Sequence, residues 1–423
     1  MNVFLHTFGC KANQYDSEVV RQRLEDAGCT IVATPEAADA AVVNSCTVTH
    51  VGEGKMRGFV RRIARRRPGL RTVVMGCAAA LDDGRIAALP SVAAVVGGAD
   101  PQAVSRAILP DERVPATDTG ASLRRFASHA RAWLRVQDGC DEHCTFCATV
   151  LARGANVSRD PEAIIGEARQ LAARHAELVL TGVHIGSYGR DLGDGWTLAR
   201  LAAALIERVP GVRLRLSSVE ATEVDARMES LMAEAPDRLA PHLHAPLQSG
   251  SDRMLKRMGR HWYTAAEYRR RVERLAERVR PFGLGADLIV GFPGETDADH
   301  RASVALVEAL PFTYLHVFPY SPRNGTAAPR LGAPVHPDAA RERSAELRGL
   351  AARKQAAHQA ARAGGHADLV LESRRGGVRE AVSEDYLAVA VPADAPWTIG
   401  RERVRARLAV RGAGLVGQEP GTS

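Results

Sequence analysis

AWLRVQDGCDEHCTFC, residues 132–147, runs an apolar, strand-like stretch straight into three cysteines, Cys140, Cys144 and Cys147. A strand that empties into a loop of candidate ligands is the pattern of βα architectures, where chemistry collects beyond the strand C-termini. A structural zinc asks for four closed ligands, usually as two CxxC pairs. Here the spacing is CxxxCxxC, and no cysteine follows it in the chain. Three thiolates suit a 4Fe–4S cluster whose fourth iron stays open to a small molecule.

Strand-like runs recur on the C-terminal side of that loop. After WLRVQ (133–137) come LVLTG (178–182), VRLRLSS (212–218), PHLHAPL (241–247), LGADLIVGF (284–292) and YLHVFPYS (314–321), with helical stretches between them. Six βα repeats are too few for a closed eightfold barrel and predict an incomplete one over 132–335. On the N-terminal side, residues 1–108 read as an open parallel βα domain. Its buried strands are NVFLH, AAVVN, TVVMG and AAVVGG, and NQYDSEVVRQRLEDAG forms an amphipathic helix closed at Gly28. Cys10, Cys46 and Cys77 each follow one of these strands, which predicts a second three-thiolate set at the ligand-binding edge. Cys29, beside Gly28, reads as an ordinary core or surface thiol.

The remaining segments complete an α/β architecture of three units. Residues 109–131 are polar, carry two prolines and read as a linker. Residues 336–365 are rich in alanine and arginine and predict a connecting helix, and 366–423 turn to β character in LVLES, YLAVAVP and RVRARLAV, a small β-barrel. In RERVRARL, strand alternation would put Arg401, Arg403, Arg405 and Arg407 on one face and Val404, Ala406 and Leu408 on the other. That makes a candidate RNA-binding stripe. RRIARRRPG (61–69) reads instead as a solvated helix end.

Composition bounds the function classes. A chain of 423 residues with 45% hydrophobic content exceeds one ordinary core. A net charge of +7 permits a polyanionic partner. The start MNVFLHTFGC lacks the basic and apolar regions of a secretory signal, and no run approaches eighteen apolar residues, so a cytoplasmic protein without a membrane partner is expected. Seven cysteines at wide spacing then read as ligands rather than a disulfide framework.

A resemblance adds to this. TFGCKANQYDSE, NSCTVT, MGC, CTFC followed by ARG, LTGVHIGSYG, HLHAPLQSGSDRMLKRMGR, DLIVGFPGET and FPYSPRNGTAA resemble, in order and over nearly the whole chain, the radical S-adenosylmethionine methylthiotransferases. The resemblance implies two 4Fe–4S clusters and S-adenosylmethionine as cofactors. The cluster on Cys140, Cys144 and Cys147 would bind S-adenosylmethionine and yield a 5′-deoxyadenosyl radical, and the one on Cys10, Cys46 and Cys77 would carry the sulfur. No catalytic side chains beyond the cluster ligands are singled out. A tRNA-binding β domain of the TRAM kind would occupy the C-terminus, and the implied partners are tRNA, an electron donor such as flavodoxin or ferredoxin, and a sulfur source.

The wording GCKANQYDSE resembles the subgroup that adds a methylthio group to C2 of N6-threonylcarbamoyladenosine at position 37 of tRNA. The alternatives are N6-isopentenyladenosine tRNA, a ribosomal-protein aspartate, or a non-catalytic iron–sulfur electron carrier that binds RNA. A carrier normally closes all four ligand positions, which this chain leaves open twice. Candidate contacts to S-adenosylmethionine are Thr181 and Gly182 at a strand end, Ser218 and Glu220 for the ribose, Gln248 in PLQSGS, and Gly291 beside the adenine. Capping the following helix is a rival job for Ser218 and Glu220. The chain departs from the family pattern in ATVLARG after Cys147 and in SSVEATEVD, neither of which replaces a cluster cysteine.

Overall fold

The computed structural model describes residues 1–47, 49–110, 122–127, 130–412 and 414–420. Much of the expected linker therefore lies outside the described residues.

Five strands open the chain: β1 (Asn2–Thr7), β2 (Thr30–Val32), β3 (Ala40–Ser45), β4 (Arg71–Gly76) and β5 (Val92–Gly97). They form one parallel sheet in the order β2-β1-β3-β4-β5. The central strand β3 is buried at all six positions, as a strand covered on both faces must be. Alternate residues feed opposite layers. Ala41 and Val43 pack with Met56, Val60 and Ile63 of the helix His50–Arg66, whereas Ala40 and Val42 pack with Val20 and Leu24 of the helix Lys11–Asp26. Each fully buried valine contributes about 1.5–3 kcal/mol. The chain steps from β1 to β2 on one side and returns to β3 on the other, so the strand order reverses between β1 and β3. That crevice is where open α/β sheets bind ligands, and Cys10 and Cys46 follow its two strands. The short strand β2 was not foreseen.

The central part holds β6 (Ala132–Arg135), a two-residue ribbon of β7 (Gln137–Asp138) and β8 (Val157–Ser158), then β9 (Glu177–Thr181), β10 (Arg213–Leu216), β11 (His242–His244), β12 (Gly283–Val290) and β13 (Tyr314–Pro319). Two parallel three-stranded sheets, β6-β9-β10 and β11-β12-β13, meet through the parallel bridges Leu214–Leu239 and Ser218–His244. The six expected strands thus follow one another around an incomplete barrel. The largest apolar cluster of the described residues fills it, among them Leu134, Val179, Leu214, Leu243, Leu284 and Val317.

The helix Pro337–Arg362 leads to β14 (His366–Arg375), β15 (Val378–Val382), β16 (Ala388–Pro392), β17 (Arg403–Arg411) and β18 (Gly414–Gln418), a closed barrel in the order β14-β15-β16-β18-β17. Strands β15 and β18 were not foreseen. The barrel is fastened by two arginines of β10. Arg213 and Arg215 are fully buried and share the carboxylate of Glu177 on β9. Arg213 Nη1 also donates to the Asp368 carbonyl, and Arg215 Nη1 and Nη2 donate to the carbonyls of Glu384 and Ser383. Burial alone would push the Glu177 carboxyl up, but Arg215 and Arg213 outweigh it and hold it far below the usual range.

The expected basic stripe is altered by this docking. Val404, Ala406 and Leu408 face the barrel interior, and Arg405 and Arg407 are exposed, as strand alternation requires. Arg401 precedes the strand and Arg403 is turned onto the Asp368 carboxylate and the Asp237 carbonyl. The row of four is therefore a pair, because a guanidinium that locks two units together is not free for phosphate. The helix end over 61–66 is exposed at Arg61, Arg62, Arg65 and Arg66, as its composition predicts.

Candidate active site between two cysteine triads

The loop after β7 holds Cys140, Cys144 and Cys147 half-buried, and their backbone prepares them for negative charge. The Glu142 N–H donates to Cys140 Sγ at 3.4 Å and the Thr149 N–H to Cys147 Sγ at 3.4 Å. Arg260 Nη1 donates to Cys144 Sγ at 3.7 Å. His184 Nδ1 lies 3.9 Å from Cys140 Sγ, and Glu223 holds its other nitrogen at 3.0 Å. Burial pushes the free Cys144 thiol up to about 12 against the pull of Arg260. A soft cation there would favour the thiolate.

These cysteines open onto a pocket of about 170 Å³ that also takes in Ser218, Glu220, Gln248 and Trp262. Glu220 is buried and accepts a hydrogen bond from Arg260 through Oε1, while its Oε2 has no partner among the described residues. An orphaned acceptor in a pocket fits a ligand that brings hydroxyl or ammonium donors. The rival job is filled elsewhere, since Asp225 caps the helix Ala226–Glu234 through the Met228 N–H. Gln248 sits at φ +64°, a sparsely used conformation for a side-chain-bearing residue and a frequent mark of a binding loop.

Cys10, Cys46 and Cys77 come together from three strand ends and line one cavity of about 620 Å³. Asn13 organises them: its Oδ1 lies 3.2 Å from Cys10 Sγ and 3.9 Å from Cys77 Sγ, and its amide donates to Asn44 and to the Ser45 carbonyl. Gly76 turns the chain into Cys77 at φ +96°, and a Cβ there would lie 2.2 Å from Asn44 Oδ1. Arg153, from the ARG after the cysteine loop, donates through Nε to Cys77 Sγ at 3.2 Å. Its other nitrogens bind Asp138 at 3.0 Å and the buried Asp16 at 2.7 Å. Burial raises the free Cys77 thiol, with Arg153 opposing.

Thr149 lines both the 170 Å³ pocket and the 620 Å³ cavity, so the triads line two adjoining spaces. Each offers three cysteine sulfurs that are in no disulfide, and Cys29, the seventh, is buried in the layer beneath the sheet. This donor chemistry fits two clusters, each with one iron left open.

Other expected contacts fall differently. Thr181 and Gly182 line the larger cavity but not the pocket beside the Cys140 set. A Cβ on Gly182 would lie 2.6 Å from the Gln137 carbonyl, so close strand packing accounts for that glycine. Gly291 lines neither space. It turns at φ +74°, a Cβ would lie 2.9 Å from Ala340 Cβ, and its N–H is taken by Glu295. Helix packing explains it, in place of the expected contact to adenine. Arg153 and Arg260 were missed as site residues although both stand inside quoted motifs, as the arginines of ARG and MGR.

Residues 2–98 match the model of a family described as uncharacterized protein family UPF0004, and 134–307 match the radical SAM superfamily. The chain is 38% identical over 355 residues to the threonylcarbamoyladenosine tRNA methylthiotransferase MtaB of Bacillus subtilis, covering 81% of this chain and 78% of that one. It is likewise 38% identical to MtaB of Thermotoga maritima, over 81% and 80% of the two chains. A tRNA-2-methylthio-N(6)-dimethylallyladenosine synthase of Jannaschia is 33% identical over 94% of this chain and 89% of its own. Among solved structures, the radical S-adenosylmethionine methyltransferase TsrM of Kitasatospora setae superposes with a TM-score of 0.57 at 15% identity, over 75% and 72% of the chains, a likeness of fold alone. With two cysteine triads lining adjoining spaces and relatives of this identity and coverage, the chain belongs to the radical S-adenosylmethionine methylthiotransferases of the MtaB type.

Proposed function

We propose that this enzyme adds a methylthio group to C2 of N6-threonylcarbamoyladenosine at position 37 of tRNA. The observation that carries this is the pair of three-cysteine sets lining two adjoining cavities with a common wall, which supplies sites for two separate iron–sulfur clusters close to one another. Bound clusters would supply, at Cys140, Cys144 and Cys147, reductive cleavage of S-adenosylmethionine and, at Cys10, Cys46 and Cys77, a place for the sulfur that is transferred. The protein's own residues do the rest. Glu220 offers an unpaired acceptor to the cofactor, Arg260 neutralises charge beside Cys144, and Arg153 does so beside Cys77 while fixing the cysteine loop to the N-terminal sheet.

Several finer assignments belong to the same reading. S-adenosylmethionine lies along Ser218, Glu220 and Gln248, and Thr181 and Gly182 shape the nucleoside side of the space. Units of 1–108, 132–335 and 366–423, with the linker 109–131 and the helical connector 336–365, divide the labour. The C-terminal barrel holds tRNA through Arg405 and Arg407. A low-potential electron donor such as flavodoxin or ferredoxin and a sulfur source complete the reaction in the cytoplasm. No described helix is long and apolar enough to cross a membrane. The test supplies anaerobically reconstituted protein with S-adenosylmethionine, sulfide and reductant, and offers anticodon stem-loops bearing threonylcarbamoyl- or isopentenyladenosine. Mass spectrometry should find the methylthio product on the first; product on the second alone would overturn the substrate assignment.

A further inference from the structure

The wall of the 620 Å³ cavity includes one residue of the C-terminal barrel, Tyr386, in the loop between β15 and β16. It sits at φ +69°, where a residue bearing a bulky side chain is strained. Such strain persists only where the surroundings over-determine it, and such residues gather at ligand clamps. The surroundings here are unusually complete. Ser383 Oγ receives the Leu387 N–H at 2.8 Å and donates to Asp385 at 2.5 Å, and Asp385 is held by His358 and Arg362, each at 2.9 Å. Arg215 grips the carbonyls of the consecutive residues Ser383 and Glu384 just before Asp385. Gly283 makes room for the loop, since a Cβ there would lie 2.1 Å from the Asp385 carbonyl. The ring stacks on His242 at 4.4 Å between centroids and leans on Tyr314 at 5.4 Å. It is only half-buried, and its hydroxyl has no hydrogen-bond partner among the described residues.

None of this machinery is needed to close a five-stranded barrel. Besides fastening the barrel, it fixes an aromatic side chain in the wall of the cavity that Cys10, Cys46 and Cys77 line. Single-stranded and extruded bases are held by aromatic side chains, and each such contact is worth a large factor in affinity. We propose that Tyr386 is a substrate-binding residue, the part of the RNA-binding barrel that enters the active cavity and packs against the extruded nucleoside. The barrel then completes the active site as well as tethering the tRNA. This rests on the tRNA reading given above.

The test exploits the backbone. Glycine is at ease at φ +69°, so Tyr386→Gly removes the side chain without adding strain, and Tyr386→Phe keeps the ring. The reconstituted full-length variants are compared with wild type for iron content, for 5′-deoxyadenosine formed without tRNA, for binding of a threonylcarbamoyladenosine stem-loop by anisotropy, and for methylthiolated product per 5′-deoxyadenosine. Tyr386→Gly should keep iron content and tRNA-independent cleavage, weaken stem-loop binding by about tenfold, and lower product per cleavage by a similar factor. Tyr386→Phe should restore both to within about threefold of wild type. Unchanged binding and coupling in Tyr386→Gly would overturn the proposal, as would a Phe variant no better than the Gly variant. A wild-type enzyme inactive on this stem-loop would instead overturn the substrate reading, and anisotropy would still report whether the ring contacts RNA.

Discussion

The two cysteine triads hold the same number of sulfurs by different means. Cys140, Cys144 and Cys147 share one loop of eight residues, so their proximity is set by chain connectivity. Cys10, Cys46 and Cys77 follow three strands of one sheet, and only the folded order β1-β3-β4 brings them together. The loop set lies open to a pocket sized for a small cofactor, whereas two of the sheet set are buried in a larger cavity. A loop site can form early and locally; a sheet-edge site exists only when the fold does. Arg153 joins them, since it belongs to the helix after the loop and its guanidinium reaches Cys77 and Asp16.

The strongest way to break this contrast is to remove one ligand from each set. Cys144→Ala should abolish both 5′-deoxyadenosine and methylthiolated product, whereas Cys46→Ala should retain cleavage of S-adenosylmethionine and lose product entirely. High-resolution mass spectrometry of both products decides it, and full product from Cys46→Ala would end the claim of a second functional site.

The joint between the sets comes next. Arg153→Met removes one of the two arginines that pair with Asp138 and the buried Asp16, leaving Arg135 to hold both, at a cost of about 1–3 kcal/mol. A clearly lowered melting temperature of the anaerobic protein, with Cys77-side function lost before S-adenosylmethionine cleavage, would sharpen the contrast. An unshifted melting temperature would show that the joint is not structural.

A smaller effect tests how the C-terminal barrel is fastened. The Glu177 carboxyl is depressed in the folded state, so its stabilisation is present above the unfolded carboxylate range near pH 4.5 and is lost as pH falls toward the folded value. Glu177→Gln should therefore cost about 3 kcal/mol at neutral pH, and the gap to wild type should narrow progressively below about pH 4.5. Denaturant unfolding across a pH series reads this directly. A gap independent of pH would remove the ionised carboxylate from the account.

The smallest effect lies on the barrel surface. Arg405→Ala with Arg407→Ala should reduce the salt dependence of tRNA binding by about two units of slope without touching S-adenosylmethionine cleavage. Arg403→Ala should act on stability instead, because Asp368 already holds it.

What the sequence disclosed follows the same division. The loop cysteines were legible because ligand spacing is local, and the sheet cysteines because each stands just after an apolar strand run. The roles of Asn13, Arg153 and Arg260 were not, because they arise between residues far apart in the chain, as in the separation of 116 positions between Cys144 and Arg260. Strand β2 has three residues at a sheet edge, and β15 and β18 are short, so their patterns carry little periodic signal. Alternation placed Arg403, Arg405 and Arg407 outward correctly, yet it cannot reveal that another unit packs over Arg403. Tyr386 was invisible for a related reason: neither its left-handed backbone nor the cavity it enters leaves a mark in SEDYLAV.

The claim that two separate three-thiolate sites exist is tested most directly by the iron content of anaerobically reconstituted protein, wild type beside the triple variant Cys10→Ala, Cys46→Ala and Cys77→Ala. Two 4Fe–4S sites predict about eight irons in wild type and about four in the triple variant. Four irons in both proteins, or zinc in place of iron, would contradict the account.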